Sequence, residues 1–311
     1  MVPYDESVPP TPRRRTPRAA AALAAVSLCL TAAGCGAGAD DGPSGQPADP
    51  RPGGDGTSAA APSGPAPDRT SAAPSGSSSK AADRPGSGPL SGKTVVIDPG
   101  HNPDNRLHTQ EINRQVDVGT GRKECDTTGT STDAGYAEAR FTLDVSRRVR
   151  DLLRAQGAKV VLTQDGDRPY GPCVDERARI GNAAGADAVV SVHADGSAVG
   201  NRGFHVILPG LVRAGKADTS KIVDPSRDLG ARIAGLFLRA TGSAPSNYIG
   251  DKTGLDVRKD LGGLNLSTVP KVFIECGNMR DPKDAALLTS AGWRQKAAQG
   301  IADGISGYLK G

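Results

Sequence analysis

Residues 174–195 read VDERARIGNAAGADAVVSVHAD. Val174–Ala184 reads as a helix, and Ala188–Val192 (AVVSV) as a short buried strand that hands the chain directly to His193. The same pattern recurs on either side. Upstream, Lys93–Asp98 (KTVVID) is an apolar run that stops at Pro99-Gly100 and is followed by His101. Tyr136–Gln156 carries Phe141, Val145, Val149 and Leu152 at helical spacing, with Gly157 placed as a C-cap. Lys159–Thr163 (KVVLT) is a further strand. Downstream come a strand at Gly203–Leu208 (GFHVIL), a helix at Ser226–Ala240 and a strand at Val269–Ile274 (VPKVFI) that ends on Glu275. Trp293, Ala297, Ile301, Ile305 and Tyr308 mark a last helix. Strands alternating with helices predict one α/β domain over Leu90–Gly311, a twisted and mostly parallel sheet with helices on both faces. Asn102–Asp133 interrupts it as a long polar loop. Loops of that length in a compact domain are usually functional or stapled.

The rest of the chain does not belong to that core. Residues 36–89 hold no Leu, Ile, Val, Met, Phe, Tyr or Trp, so burial cannot offset the entropy of ordering them, and the segment is expected to be a disordered linker. Ahead of it, Arg13, Arg14, Arg15 and Arg18 precede an apolar run, Ala19–Leu30, and then small residues. The run is shorter than the ~20 residues a bilayer span needs, so residues 1–35 read as an export signal. Ala32-Ala33-Gly34-Cys35 resembles a bacterial lipobox, with Ala32 where Leu is usual. That resemblance implies a lipid on Cys35 and anchoring to the outer face of the membrane, with ordinary cleavage and secretion as the other outcome. The 38 basic residues barely exceed the 34 acidic ones, and no basic run lies in the folded part, which argues against a nucleic-acid partner. A monomer is expected.

Cysteine usage fits an extracytoplasmic protein. Outside the first 35 residues only Cys125, Cys173 and Cys276 remain. Cys125 and Cys173 sit in polar loops (KECDTTG and RPYGPCVDE) and would oxidise to a bridge outside the membrane. Cys276 follows an apolar strand and reads as a small buried hydrophobe. No C-x-x-C spacing suggests a structural metal site.

Open α/β sheets bind ligands beyond the carboxyl ends of their strands. His101, His193 and Glu275 stand at such ends. Glu138 is a fourth candidate, because Phe141 and Val145 share its helix face and no Lys or Arg within one turn does. A carboxylate there is costly unless paired or metal-bound. Two His and a carboxylate form a catalytic zinc sphere with a position open for water, and the other Glu can serve as general base. Each residue also has a structural reading. His101 could cap its turn, His193 could be a satisfied buried ring, and Glu138 could answer the helix dipole. Glu275 could pair with Arg258 or Arg280. His108, in the polar loop, and His205, inside a strand beside Phe204, read as non-ligating.

These residues also carry a family resemblance. TVVIDPGHNP (94–103), AEARFTLDV (137–145), ERARIGNAAGADAVVSVHADGS (176–197) and VPKVFIECGNMRDPKDAALL (269–288) together resemble the zinc-dependent N-acetylmuramoyl-L-alanine amidases of the Amidase_3 type. The resemblance implies Zn2+ on His101, Glu138 and His193, and Glu275 as the catalytic glutamate. It implies hydrolysis of the amide joining the lactyl group of N-acetylmuramic acid to L-Ala of the stem peptide in peptidoglycan. Arg177 and Asn182 fall in its third block as structural residues. Three positions depart from the family pattern: Asp195 for Asn, Thr142 for a frequent Asn, and Asn278 for an aromatic or aliphatic residue. Two other readings use the same groove, a non-catalytic wall-binding lipoprotein and a zinc peptidase cutting within the stem peptide.

Overall fold

A computed structural model of the chain describes residues 87–311. The expected signal with Cys35, and all but the last residues of the expected linker, lie outside the described residues. Gly88 already takes part in a turn, its carbonyl accepting from the Ser91 amide, and Leu90 is fully buried.

The main elements of the domain are β1 (Thr94–Pro99), α1 (Glu138–Ala155), β2 (Lys159–Leu162), α2 (Val174–Ala183), β3 (Ala188–Asp195), β4 (His205–Pro209), α3 (Val223–Thr241), β5 (Leu255–Arg258), α4 (Gly262–Asn265), β6 (Lys271–Asn278), α5 (Pro282–Thr289) and α6 (Ala291–Lys310). The sheet has six strands in the order β2-β1-β3-β6-β4-β5. The first four run parallel, while β4 lies antiparallel to β6 and carries β5 parallel to itself. The predicted mostly parallel α/β fold is what the chain adopts. β5 was not expected. Its sequence LDVR has too few apolar residues to stand out, because it is a half-exposed edge strand.

The two faces of the sheet differ in chemistry. On one, Val95, Ile97, Val190, Val192, Val272, Ile274, Val206 and Leu208 form the main apolar core with residues of α1, α3 and α6. The helices supply apolar positions at 3.6 spacing, such as Phe141, Val145 and Val149 on α1 and Leu229, Ile233 and Phe237 on α3. On the other face, Val96 and Val189 pack under Ile180 of α2. Further along, that second face turns polar. Asp98 and Ser191 are paired on β1 and β3, and His193, Glu275 and His205 are paired across β3, β6 and β4. The polar row therefore runs along the carboxyl ends of the parallel strands.

The loop from 102 to 133 is not featureless. It holds two short helical turns and a small hairpin (Gln115–Asp117 with Arg122–Glu124). Cys125 is bridged to Cys173, the residue before α2, as the sequence suggested, and Cys276 is free and buried.

Candidate metal centre

Each donor is delivered by the end of an element. β1 gives way at Pro99-Gly100 to His101, whose φ of +60° lies in the left-handed region that non-glycine residues seldom adopt. The strain is held in place from three sides. Arg177 and Gln164 donate to the His101 carbonyl, and Thr142 on α1 donates its hydroxyl to the Gly100 carbonyl. Thr142 thus has a positional role that explains its place beside Glu138. Gly100 must be glycine, since a Cβ there would collide with the His193 ring. Glu138 is the first residue of α1, and its Oε2 and Oε1 accept from the amides of Thr130 and Ala194.

The three side chains converge. Oε2 of Glu138 lies 3.2 Å from Nε2 of His101, and Oε1 lies 3.0 Å from Nδ1 of His193. One donor atom from each residue falls within 4.8 Å of the others. The two rings meet edge to face at 5.0 Å, and Phe273 stacks on His193 at 5.3 Å. All three side chains are nearly enclosed. Burial alone would keep His101 neutral, but Glu138 and Asp126 outweigh it and push its pKa up to about 10. Burial likewise works against the Glu138 carboxylate, and the His101 and His193 rings hold its pKa well below the ordinary range nonetheless. The pocket is thus built around a carboxylate clasped between two imidazoles. Two imidazoles and a carboxylate suit a divalent ion of the zinc class.

A buried scaffold orients His101. Its Nδ1 meets the Thr127 carbonyl at 3.1 Å, with Asp126 Oδ1 at 3.5 Å. With Nδ1 held by the Thr127 carbonyl and Asp126, Nε2 is the nitrogen that faces Glu138. Arg177, read from sequence as structural, ties this together. It donates to Asp98 at 2.8 Å and Asp126 at 2.9 Å, and to the carbonyls of Pro99, His101 and Pro172. Lys271 reaches the other oxygen of Asp98 at 3.1 Å. Asn182 clamps Leu266 and Thr268 of the neighbouring loop. The disulfide joins the segment bearing Asp126 to the start of the helix bearing Arg177. Asp98, Asp126 and Lys271 were not singled out from the sequence. Asp98 and Lys271 did leave a signal, each being the charged residue within an apolar strand.

Glu275 lines the cavity that also holds His101, Glu138, His193, Asp195 and Arg258. Neither expected ion-pair partner takes it. Arg258 is on Asp260 at 2.6 Å and Arg280 on Asp133 at 3.0 Å. Its Oε2 is buried without a hydrogen-bond partner. Burial, then repulsion from Glu138 and Asp195, holds its pKa well above the ordinary carboxylate range. The remaining departures from the family pattern have local reasons. Asp195 accepts from the Tyr248 hydroxyl at 2.6 Å. Asn278 donates to the carbonyls of Ser197, Ala198 and Asn201 and accepts from the Ser197 and Arg280 amides. The His108 ring meets Glu111 and Tyr170, and His205 stays inside β4. Neither joins the cluster.

An open α/β sheet that gathers two imidazoles and a carboxylate at its strand ends, beside a second unpaired carboxyl, offers the donor set and base of a metal-dependent hydrolase. The chain matches the Amidase_3 family model, described as N-acetylmuramoyl-L-alanine amidase, over residues 95–307. It is 44% identical over 225 residues to the N-acetylmuramoyl-L-alanine amidase Rv3717 of Mycobacterium tuberculosis, covering 71% of this chain and 88% of that one. Among solved structures it is similar to the amidase Ami1 of Mycobacterium smegmatis, with 41% identity, a TM-score of 0.64, and 72% of this chain and 99% of that one covered. It is similar to Ami1 of Mycobacterium abscessus to the same degree, at 41% identity, a TM-score of 0.65, and 71% and 100% coverage. The chain therefore belongs to the Amidase_3 family of N-acetylmuramoyl-L-alanine amidases.

Proposed function

We propose that this chain hydrolyses the amide between the lactyl group of N-acetylmuramic acid and L-Ala in peptidoglycan, with zinc held by His101, Glu138 and His193 and with Glu275 as general base. The convergence of one ligand atom from each of the three residues carries the reading. When bound, the ion would supply Lewis-acid polarisation of the scissile carbonyl and of the attacking water. The protein does the rest. His101 and His193 are fixed by Thr127, Asp126 and Gly100, so little reorganisation is needed at the reaction. Glu275 accepts the water's proton and passes it to the leaving L-Ala amine, which requires its ionised form.

Supporting the extracytoplasmic setting are the Arg-rich start, the apolar run and the Cys125–Cys173 bridge. On this reading residues 1–35 direct export, Cys35 carries a lipid, residues 36–89 tether the domain, and 90–311 act on the wall. Among the described residues no helix is long and apolar enough to cross a membrane. Purified zinc-loaded protein should release stem peptides from muropeptides, and chelator should stop it. Mass spectra should show a free L-Ala amine, whereas products cut inside the stem peptide would indicate a peptidase. A Glu275→Ala variant that binds zinc and keeps full activity would remove Glu275 from the mechanism.

A further inference from the structure

Two buried polar atoms near the centre lack a partner: Oε2 of Glu275 and Nδ1 of His205. They belong to residues paired directly across antiparallel strands, Glu275 on β6 and His205 on β4. Such pairs share a sheet face with Cβ atoms about 4.5–5.5 Å apart. On its other side Glu275 pairs with His193 of β3, so the carboxyl stands between two imidazoles. His193 is committed to Glu138, and His205 has no such commitment. It is 2% exposed in a strand whose other residues are apolar, Val206, Ile207, Leu208 and Pro209. A buried polar atom without a partner is unfavourable, and the two are not in direct contact, so one water held between them would satisfy both.

The other polar groups around His205 have their own engagements or positions. Tyr248 presents an edge to it at 6.0 Å and gives its hydroxyl to Asp195. Arg258 is on Asp260. Asp256 of β5 pairs with Ile207 and is half-exposed. Burial also holds the His205 ring below its ordinary pKa, so near pH 7 it offers one donor and one acceptor nitrogen.

We infer that His205 is a positioning residue for Glu275, its imidazole hydrogen-bonded to the Glu275 carboxyl through one bridging water, fixing the oxygen that faces the reacting water. This rests on Glu275 being the general base. The geometry that makes the idea specific is the three-residue row His193–Glu275–His205, which places the base in a slot between the metal-side imidazole and a second, buried one.

The test is a cycle of His205→Phe, Glu275→Gln and the double variant, with His205→Asn as the conservative replacement, in the zinc-loaded protein on a soluble muropeptide. His205→Phe should lower kcat about tenfold to a hundredfold with KM unchanged and zinc content retained. His205→Asn should recover part of the loss. In the Glu275→Gln background, His205→Phe should cost nothing further. The same cycle, read by urea denaturation of the chelated protein, should show the two residues coupled. Should phenylalanine not fold, His205→Leu serves in its place. Wild-type kcat in His205→Phe beside an inactive Glu275→Gln would overturn the inference, as would losses that simply multiply. Wild-type kcat in Glu275→Gln would instead overturn the general-base reading.

Discussion

Replacing Arg177 with Met should be the most damaging change that leaves every proposed ligand in place. Arg177 is 5% exposed and serves two buried carboxylates, Asp98 and Asp126, besides the carbonyls of Pro99 and His101 in the His101 turn and of Pro172 before α2. Removing one partner of a buried ion pair costs about 3–5 kcal/mol, because the other charge stays behind without compensation. Lys271 still answers Asp98, and Asn105 still donates to Asp126, so we take the lower end, about 3 kcal/mol. For a domain of this size each kcal/mol moves the midpoint by about 2–4 °C, giving a fall of about 6–12 °C. The assay is thermal and urea denaturation of the chelated protein, which keeps metal binding from masking the loss. The deficit should shrink as the pH falls toward 3, where the stranded carboxylates protonate. Arg177→Lys should recover little, since an ammonium cannot reproduce the fork that spans Asp98 and Asp126. A midpoint within 2 °C of wild type for Arg177→Met at pH 7 would refute the reasoning.

Gly100→Ala should drive its new methyl into the His193 ring, lowering zinc affinity and activity far more than thermal stability. A titration with competing chelator measures it, and wild-type affinity would contradict the packing. For acid behaviour the sign follows from Asp98 and Asp126. Their folded pKa values lie below the unfolded value of about 3.9, Asp126 at about 2, so their stabilisation is complete above pH 4 and is lost as the pH falls through the folded values. Denaturation against pH should therefore show a steep loss below about pH 4, and a midpoint unchanged down to pH 2 would count against the network. Reducing the Cys125–Cys173 bridge, which closes a 48-residue separation, should cost up to about 4 kcal/mol on the chain-entropy model. It should also weaken zinc binding by loosening Asp126 and Thr127, and a reduced protein with unaltered metal affinity would show that the bridge does not steady His101.

Much of this was legible because apolar runs ending in polar residues are strong signals. KTVVID before His101, AVVSV before His193 and VPKVFI before Glu275 each gave a strand and its candidate residue together. Glu138 stood out only because helical spacing put it beside Phe141 and Val145. The fifth strand, LDVR, was hidden because an edge strand need not be apolar. α4 and α5 were hidden because elements of four and eight residues carry too few turns to show a period. The scaffold behind His101 was illegible for a different reason. Asp126, Thr127 and Arg177 lie far apart in sequence, and nothing local says that one guanidinium will reach two carboxylates. The same holds for Glu275 and His205, which are cross-strand neighbours only because β4 turns antiparallel to β6.

Metal analysis of the purified protein beside its Glu138→Ala variant tests the proposed centre most directly. We expect about one tightly held zinc per wild-type chain, and loss of that zinc in a Glu138→Ala protein that still folds. A wild-type enzyme that releases stem peptides with no bound metal, or a Glu138→Ala variant that keeps its zinc undiminished, would contradict it.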